Sequence, residues 1–462
     1  MLQRSAAMME SSLAFRSGQL LKILGVGFGL AVVVGGTVGT GILRAPGAVV
    51  AQLGDAWGVI AVWCLGGVYT LLGAASLADL GTALPQSGGF YVYAKRALGD
   101  YPGFAVGWAD WITNCAGIAI GAITLGEFLI LLVPALSSYR LVIGAATVIG
   151  FAGLQLCGMR VSSRLQEATS FLKAFLFTAL ILALLLVAHP HRNTSAAHTH
   201  APVARLAGLI AIVIAFQLVL QTYDGWQGAL YFAGEDKAPA QNLPRSLIGG
   251  VVIVIVVYLL MNLALMRVLP LPVLATSTLP AADATQLLLG SRGATVITAL
   301  AAFSLLPLIF AVMLTAPRIL YAMGHDGLLP SSFGLVNSGG TPWVALLLST
   351  GAAIALLATR TFEAISALSA FFAVASYAGA FVSLLILRRR EIDLPRPFRV
   401  WGYPWTTIAV LLGSFAFLGG MIASAPRISV IALIVLAFSY PMYRLMRLLP
   451  RRIEVTSTRG AR

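Results

Sequence analysis

The sequence predicts an all-α polytopic membrane protein, and three observations carry that prediction. The 462-residue chain is 59% hydrophobic and only 10% charged, with a mean hydropathy of +0.91. A soluble chain carries about a quarter charged residues. The apolar residues gather into runs of the ~20 residues needed to cross a hydrocarbon core of about 30 Å. The Lys and Arg residues gather on alternate sides of those runs, as the positive-inside rule requires.

Twelve such runs predict twelve transmembrane helices, near 23–50, 57–83, 103–134, 140–157, 164–188, 206–233, 246–268, 292–323, 342–358, 362–387, 405–425 and 428–447. An even number puts both termini on one side. With the N-terminus in the cytoplasm, 21 of the 30 Lys and Arg fall in cytoplasmic segments and 7 in outer loops; Arg44 and Lys173 lie inside spans. The net charge of +14 is then membrane topology, with anionic inner-leaflet lipid as its neighbour, and no nucleic acid is called for. The expected location is the plasma (inner) membrane. The first run is too long for a cleavable signal peptide.

The resulting division is a cytoplasmic N-terminus (1–22), five helices (23–188), an outer loop (189–205) and five more helices (206–387). A basic cytoplasmic loop (388–404), helices eleven and twelve (405–447) and a basic tail (448–462) follow. Cys64, Cys115 and Cys157 sit singly in apolar runs and read as small core hydrophobes. The loop "HPHRNTSAAHTH" holds four of the five histidines. Its two H-x-H pairs suit a metal, but no carboxylate or cysteine accompanies them, and a solvated outer loop is the plainer reading. No cofactor and no obligate partner subunit is evident.

The first span carries an anomaly, "VVVGGTVGTGILRAPG", where Gly35, Gly36, Gly39 and Gly41 interrupt the apolar run and Pro46 follows. Glycine costs roughly 1 kcal/mol against alanine inside a helix. The sixth span is interrupted likewise, at Thr222-Tyr223-Asp224-Gly225. If spans one to five and six to ten are repeats, the interruptions occupy corresponding positions, the best sequence pointer to a transporter's midplane site. Lipid cannot satisfy the N–H and C=O groups of an unwound turn, so a polar ligand or water must. The half-helix after the break offers N–H groups and partial positive charge to a carboxylate. The half-helix before it offers carbonyls to an ammonium. An α-amino acid carries both groups one carbon apart, and glycine lets the backbone approach it closely.

The residues then carry a resemblance. "GGTVGTGI" is similar to the first-helix motif of the amino acid–polyamine–organocation transporters, and "TYDGW" resembles the sixth-helix motif of their L-type amino acid transporter branch and its bacterial relatives. "LPQSGGFYVYAKRALG", "SSRLQEATSFLK", "RILYAMGHDGLLP" and "RRREIDLPRPFRVWGYP" follow in family order, over nearly the whole chain. The resemblance implies the five-plus-five inverted-repeat fold shared with the bacterial leucine transporter, with broken first and sixth helices and two extra C-terminal helices. It implies that Gly39, Thr40 and Gly41 offer N–H groups to the substrate carboxylate, and that Thr37, Gln221 and Asp224 offer carbonyls to its ammonium. Thr222, Tyr223 and Gly225 complete the expected substrate site. Two residues depart from the pattern: relatives often have an aromatic gate where this chain has Gln221, and glycine where it has Asp224.

The implied activity is secondary active transport of L-amino acids by alternating access, neutral ones first. Cationic amino acids or polyamines are the alternative, with Asp224 as their anionic partner. Lys173 lies nine residues past Arg164, about 14 Å along a helix, and an ammonium near the midplane is a functional candidate by default. In sodium-independent members of the family a lysine on span five stands where others bind sodium. Lys173 is in register with it, and its expected role is to donate to carbonyls near Thr37 and Val38 and to exchange a proton during the cycle. Transport is therefore expected to ignore sodium and to run as exchange or proton-coupled uptake.

Of the remaining charges, Asp79 is expected to reach the cytoplasmic interface. Asp110 and Glu127 lie on span three, with Arg44 placed either to pair with Glu127 or to be solvated alone. Trp226 is expected to pack rather than gate. An intramembrane enzyme is disfavoured, since the spans hold no H-E-x-x-H and no Ser/His pair. A channel would favour a filter or charged rings over two helix breaks.

Overall fold

The computed structural model describes residues 19–186, 205–290, 292–359 and 361–448. The predicted outer histidine loop therefore lies outside the described residues, as do the N-terminal segment before residue 19 and the tail after residue 448.

Each of the twelve apolar runs is occupied by helix. The first run is two α-helices, α1 (Val26–Thr37) and α2 (Gly41–Leu53), bent by 47° at their junction. Next come α3 (Ala56–Ala83), α4 (Phe90–Leu98), α5 (Asp100–Leu132), α6 (Arg140–Leu156) and α7 (Met159–Leu186). The sixth run is α8 (Arg205–Tyr223) followed by a 3₁₀ segment, Trp226–Glu235. Then follow α9 (Pro239–Val268), α10 (Leu271–Thr276), α11 (Pro280–Leu289), α12 (Arg292–His325), α13 (Trp343–Ala358), α14 (Phe362–Arg390), α15 (Trp405–Ser424) and α16 (Pro426–Leu448). Among the described residues, nine helices are long and apolar enough to cross a membrane, and the bent pair makes a tenth. The chain is a multi-pass integral membrane protein. The short helices α4, α10 and α11 lie between the predicted runs; α4 carries an amphipathic pattern too short to read as a span.

The bundle buries its central helices and leaves an apolar outer surface, as lipid requires. Leu412, Phe415, Ile434 and Phe438 of α15 and α16 face outward. Two of the cysteines follow the same rule: Cys115 is buried as expected, whereas Cys64 and Cys157 are exposed. On a lipid-facing surface a small hydrophobe needs no cover, so the core placement expected for those two is corrected.

A stripe on α7 shows how sequence sets packing. Ser162, Gln166, Ser170, Lys173, Phe177, Ile181 and Leu184 recur at helical spacing and all are buried, one face of the helix. Ser170 Oγ donates to the Ala31 carbonyl of α1 at 2.8 Å, and Gln166 Nε2 donates to Ala31 at 3.3 Å and to the Pro307 carbonyl of α12 at 3.2 Å. A side chain on Gly35 would meet Ser170 Oγ and Gln166 Nε2, so that glycine lets α1 seat against the stripe.

Asp79 does not reach the interface. It is fully buried, with Arg388 and Arg396 on its carboxylate, the Arg396 contact at 2.8 Å, and the Val400 N–H donating at 3.0 Å. A carboxylate out of water needs such neutralisation. The basic segment after α14 is thereby pinned to α3.

Candidate substrate site at two helix breaks

α1 ends at Thr37 because Val38 turns extended (φ −70°, ψ 110°). A helix end leaves its last four carbonyls without intrahelical partners, here those of Val34 to Thr37. The Val38 N–H takes Val34 at 3.0 Å. Lys173 Nζ donates to the Gly35 carbonyl at 2.8 Å. Tyr258 Oη, on α9, donates at 2.9 Å to the Thr37 carbonyl and lies at the same distance from the Thr222 carbonyl, the second-to-last residue of α8. One buried phenol thus ties the last turns of both interrupted helices together.

The breaks also touch directly. Gly225 has φ +107°, a conformation natural to glycine. A Cβ there would lie 2.6 Å from the Gly36 carbonyl oxygen and 3.2 Å from the Thr37 nitrogen. Only glycine permits this approach. A Cβ on Gly41 would lie 3.1 Å from Thr222 Cγ2, and one on Gly39 3.0 Å from Leu308 Cδ1.

Around the breaks lies a cavity of about 770 Å³, the size of a small-molecule site. It is lined by Thr37, Gly39, Thr40, Gly41, Gln221, Thr222, Asp224 and Gly225, so the two sequence-distant motifs meet on one wall. It extends to Arg44, Glu363 and Ser424 at helix ends. Tyr223 is the exception among the expected residues. Its ring is buried against Trp63 and Tyr258, and its hydroxyl donates to the Trp63 carbonyl at 3.3 Å. The residue after Thr222 in a helix points to another face, here α3.

Lys173 is fully buried and donates to Gly35 and, at 2.9 Å, to Ser304 of α12. It therefore joins the first broken span to α12, and its acceptor on α1 is the Gly35 carbonyl, two residues before Thr37. Ser304 lies one turn before Pro307, whose missing N–H interrupts the helical ladder at the neighbouring Phe303 carbonyl. The Thr37 carbonyl accepts from Tyr258 and keeps its second lone pair.

Arg44 and Glu127 do not pair. Glu127 binds Arg140, and the Arg44 guanidinium sits 5.0 Å from the Phe128 ring centroid. Trp226 is buried and stacks on Tyr377, centroids 5.7 Å apart, while lining the cavity. Asp110 is buried and accepts from Tyr231 Oη at 2.8 and 3.0 Å and from Asn114 Nδ2 at 3.2 Å. Asn114 Oδ1 in turn accepts from Thr315 at 2.6 Å. A second, far smaller cavity of about 40 Å³ lies among Asn114, Gly225, Tyr231 and Thr315.

Beyond it the molecule is sealed. Arg318, 1% exposed, donates to both carboxylate oxygens of fully buried Glu235, at 2.9 and 3.0 Å, and its guanidinium lies 4.7 Å from the Phe232 ring centroid. Next to this pair the Leu24 N–H donates to the Glu235 carbonyl and the Lys237 N–H donates to the Leu24 carbonyl, both at 3.1 Å. The start of the first broken span and the end of the second are thus fastened together.

Sequence reasoning missed Tyr258, Tyr377, Gln166 and the Arg318–Glu235 pair. Tyr258 stands in "VVIVIVVYLLMN", where nothing distinguishes it from a core aromatic. Gln166 and Ser170 were signalled by their helical spacing from Lys173.

The sequence is also similar to known proteins. The amino acid permease family model matches residues 29–442. The chain is 29% identical over 430 residues to the serine/threonine exchanger SteT of Bacillus subtilis, covering 92% of this chain and 96% of that protein. It is 25% identical over 400 residues to the mouse b(0,+)-type amino acid transporter 1, covering 84% of this chain and 80% of that one. The human protein of the same name is 26% identical over 395 residues. These are carriers, and the enzyme alternative falls away. Two touching helix breaks on a common cavity, with a family match over nearly the whole chain, make this protein a member of the amino acid permease family.

Proposed function

We propose that the protein carries L-amino acids across the plasma membrane by alternating access, independently of sodium, as an exchanger or with protons. The observation that carries this reading is the contact of Gly225 with Gly36, which puts both broken helices on one cavity wall. The substrate carboxylate is assigned to the N–H groups of Gly39, Thr40 and Gly41, where α2 begins and its first donors lack helical partners. The ammonium is assigned to carbonyls of the Thr37 and Gln221–Asp224 turns. Lys173 stands in for a sodium ion between the first span and α12.

In this reading twelve spans cross the bilayer with both termini cytoplasmic. The five helices within 23–188 and the five within 206–387 form an inverted repeat, supported by the equivalent positions of the two breaks, and the last two helices are additional. The cavity reaching Glu363 and Ser424 is then the outer vestibule, and Arg318–Glu235 closes the cytoplasmic side. Neutral amino acids are the first substrate class, in keeping with the serine/threonine exchange named for the Bacillus relative. Asp224, exposed to the cavity, favours cationic amino acids as a second.

The test is uptake of radiolabelled amino acids into proteoliposomes with sodium replaced by choline at fixed pH. Saturable uptake unchanged in choline is expected, stimulated by internal amino acid or by a proton gradient. A collapse in choline overturns the coupling assignment, and uptake of no amino acid overturns the function.

A further inference from the structure

The expected backbone site accounts for the substrate's α-carboxylate and α-ammonium, the groups all amino acids share. Asp224 offers something else. Its carboxylate is exposed to the cavity and accepts a hydrogen bond from Tyr377 Oη of α14. Tyr377 is itself fixed, stacked on Trp226 at 5.7 Å and edge-on to Phe90 at 5.3 Å. The Gly39–Gly41 turn is flanked instead by Thr222 of α8 and Leu308 of α12. Tyr377 therefore holds the carboxylate toward α14.

The charges around the cavity sharpen the point. Among the described residues its charged lining is Asp224 and Glu363 against Arg44, and the Arg44 guanidinium is engaged over Phe128. No lysine lines it. The Tyr377 phenol and the Gly225 N–H leave part of a carboxylate with about four lone-pair sites unsatisfied, and a partly paired charge in a closing cavity is costly. A ligand that donates to Asp224 relieves that cost.

We propose that Asp224 and Tyr377 form a side-chain subsite selecting amino acids whose own side chain ends in a hydrogen-bond donor. Hydroxyl and ammonium groups share that chemistry. Asp224 is the residue that contacts the substrate, and Tyr377 positions it. This rests on the amino acid carrier reading above and adds the basis of its selectivity.

The experiment compares isosteric pairs in proteoliposomes: threonine against valine, and lysine against 2-aminoheptanoic acid. In each pair only the donor differs. The wild type is expected to favour at least one donor member by about ten- to a hundredfold in uptake efficiency, the scale of a hydrogen bond to a charged group. Which pair discriminates identifies the source, hydroxyl or ammonium. Asp224→Gly is expected to erase the preference, lowering uptake of the donor member of the pair far more than uptake of alanine. Asp224→Asn is expected to abolish any lysine preference and to retain part of any threonine preference, because an amide still accepts but carries no charge. Tyr377→Phe is expected to weaken discrimination, the donor substrates losing more uptake than alanine does. Substrate-induced thermal stabilisation in detergent gives the same comparison for a variant that folds but transports poorly.

Equal handling of both members of each pair by the wild type overturns the proposal while leaving the carrier function intact. So does an equal loss of alanine and donor substrates in Asp224→Gly, which would assign the carboxylate to the α-ammonium. Uptake of no amino acid at all overturns the carrier reading first and this inference with it.

Discussion

Gly225 is the residue on which the site turns. Its φ of +107° and the 2.6 Å between a notional Cβ and the Gly36 carbonyl oxygen are separate constraints. Left-handed backbone costs an L-residue roughly 1–2 kcal/mol, and the obstructing atom belongs to backbone, which cannot rotate away. Gly225→Ala is expected to lower the melting temperature in detergent and to remove stabilisation by substrate, since the two breaks must separate. Unchanged melting and unchanged ligand response would mean that the close approach of the breaks is dispensable. The sequence marked this position through a carboxylate and a glycine inside an apolar run. It did not show that the neighbour demanding glycine is the other break, because that contact joins residues nearly two hundred positions apart.

Between elements, the decisive contact is Lys173. From α7 it donates to carbonyls on α1 and α12, the first left free where α1 ends and the second in the turn before Pro307. Lys173→Ala leaves both carbonyls without that donor and loosens α1 from α12. Exchange turnover per reconstituted protein is expected to fall at least tenfold, about the loss of one charge-assisted hydrogen bond, with membrane expression near normal. Wild-type turnover in this variant would strip the lysine of its coupling role. The depth of Lys173 was legible from its distance to Arg164 in sequence. Its acceptors were not, because they depend on where α1 stops and where α12 opens.

Across the whole molecule, the cavity is open toward Glu363 and Ser424 and shut toward Arg318 and Glu235. Glu235→Gln leaves a buried guanidinium without its counter-charge, and breaking such a pair on one side costs about 3–5 kcal/mol. A clear fall in melting temperature is expected, partly recovered by adding Arg318→Met, which removes the stranded charge. If Glu235→Gln alone melts as the wild type does, the pair does not hold the closed end together. Nothing in sequence could pair these residues. Glu235 reads as a loop acid after the sixth span and Arg318 as one more arginine near a helix end.

The chain by itself determined the class of molecule, the sites of its helices and the two turns where helix fails. Each follows from local rules: apolar run length against bilayer thickness, glycine and proline against helix continuity, and basic residues at span ends. Tertiary structure alone decided what the failed turns touch. It brought Gly36 to Gly225, gave Tyr258 to both broken ends, turned Tyr223 out of the cavity and Tyr377 into it, and buried Asp79 between two arginines. These are contacts across a packed bundle, where the partner of a polar group is set by helix rotation and crossing. In a membrane interior every such group must find a partner within the protein or in its ligand, so the arrangement of the helices assigns each polar side chain its role.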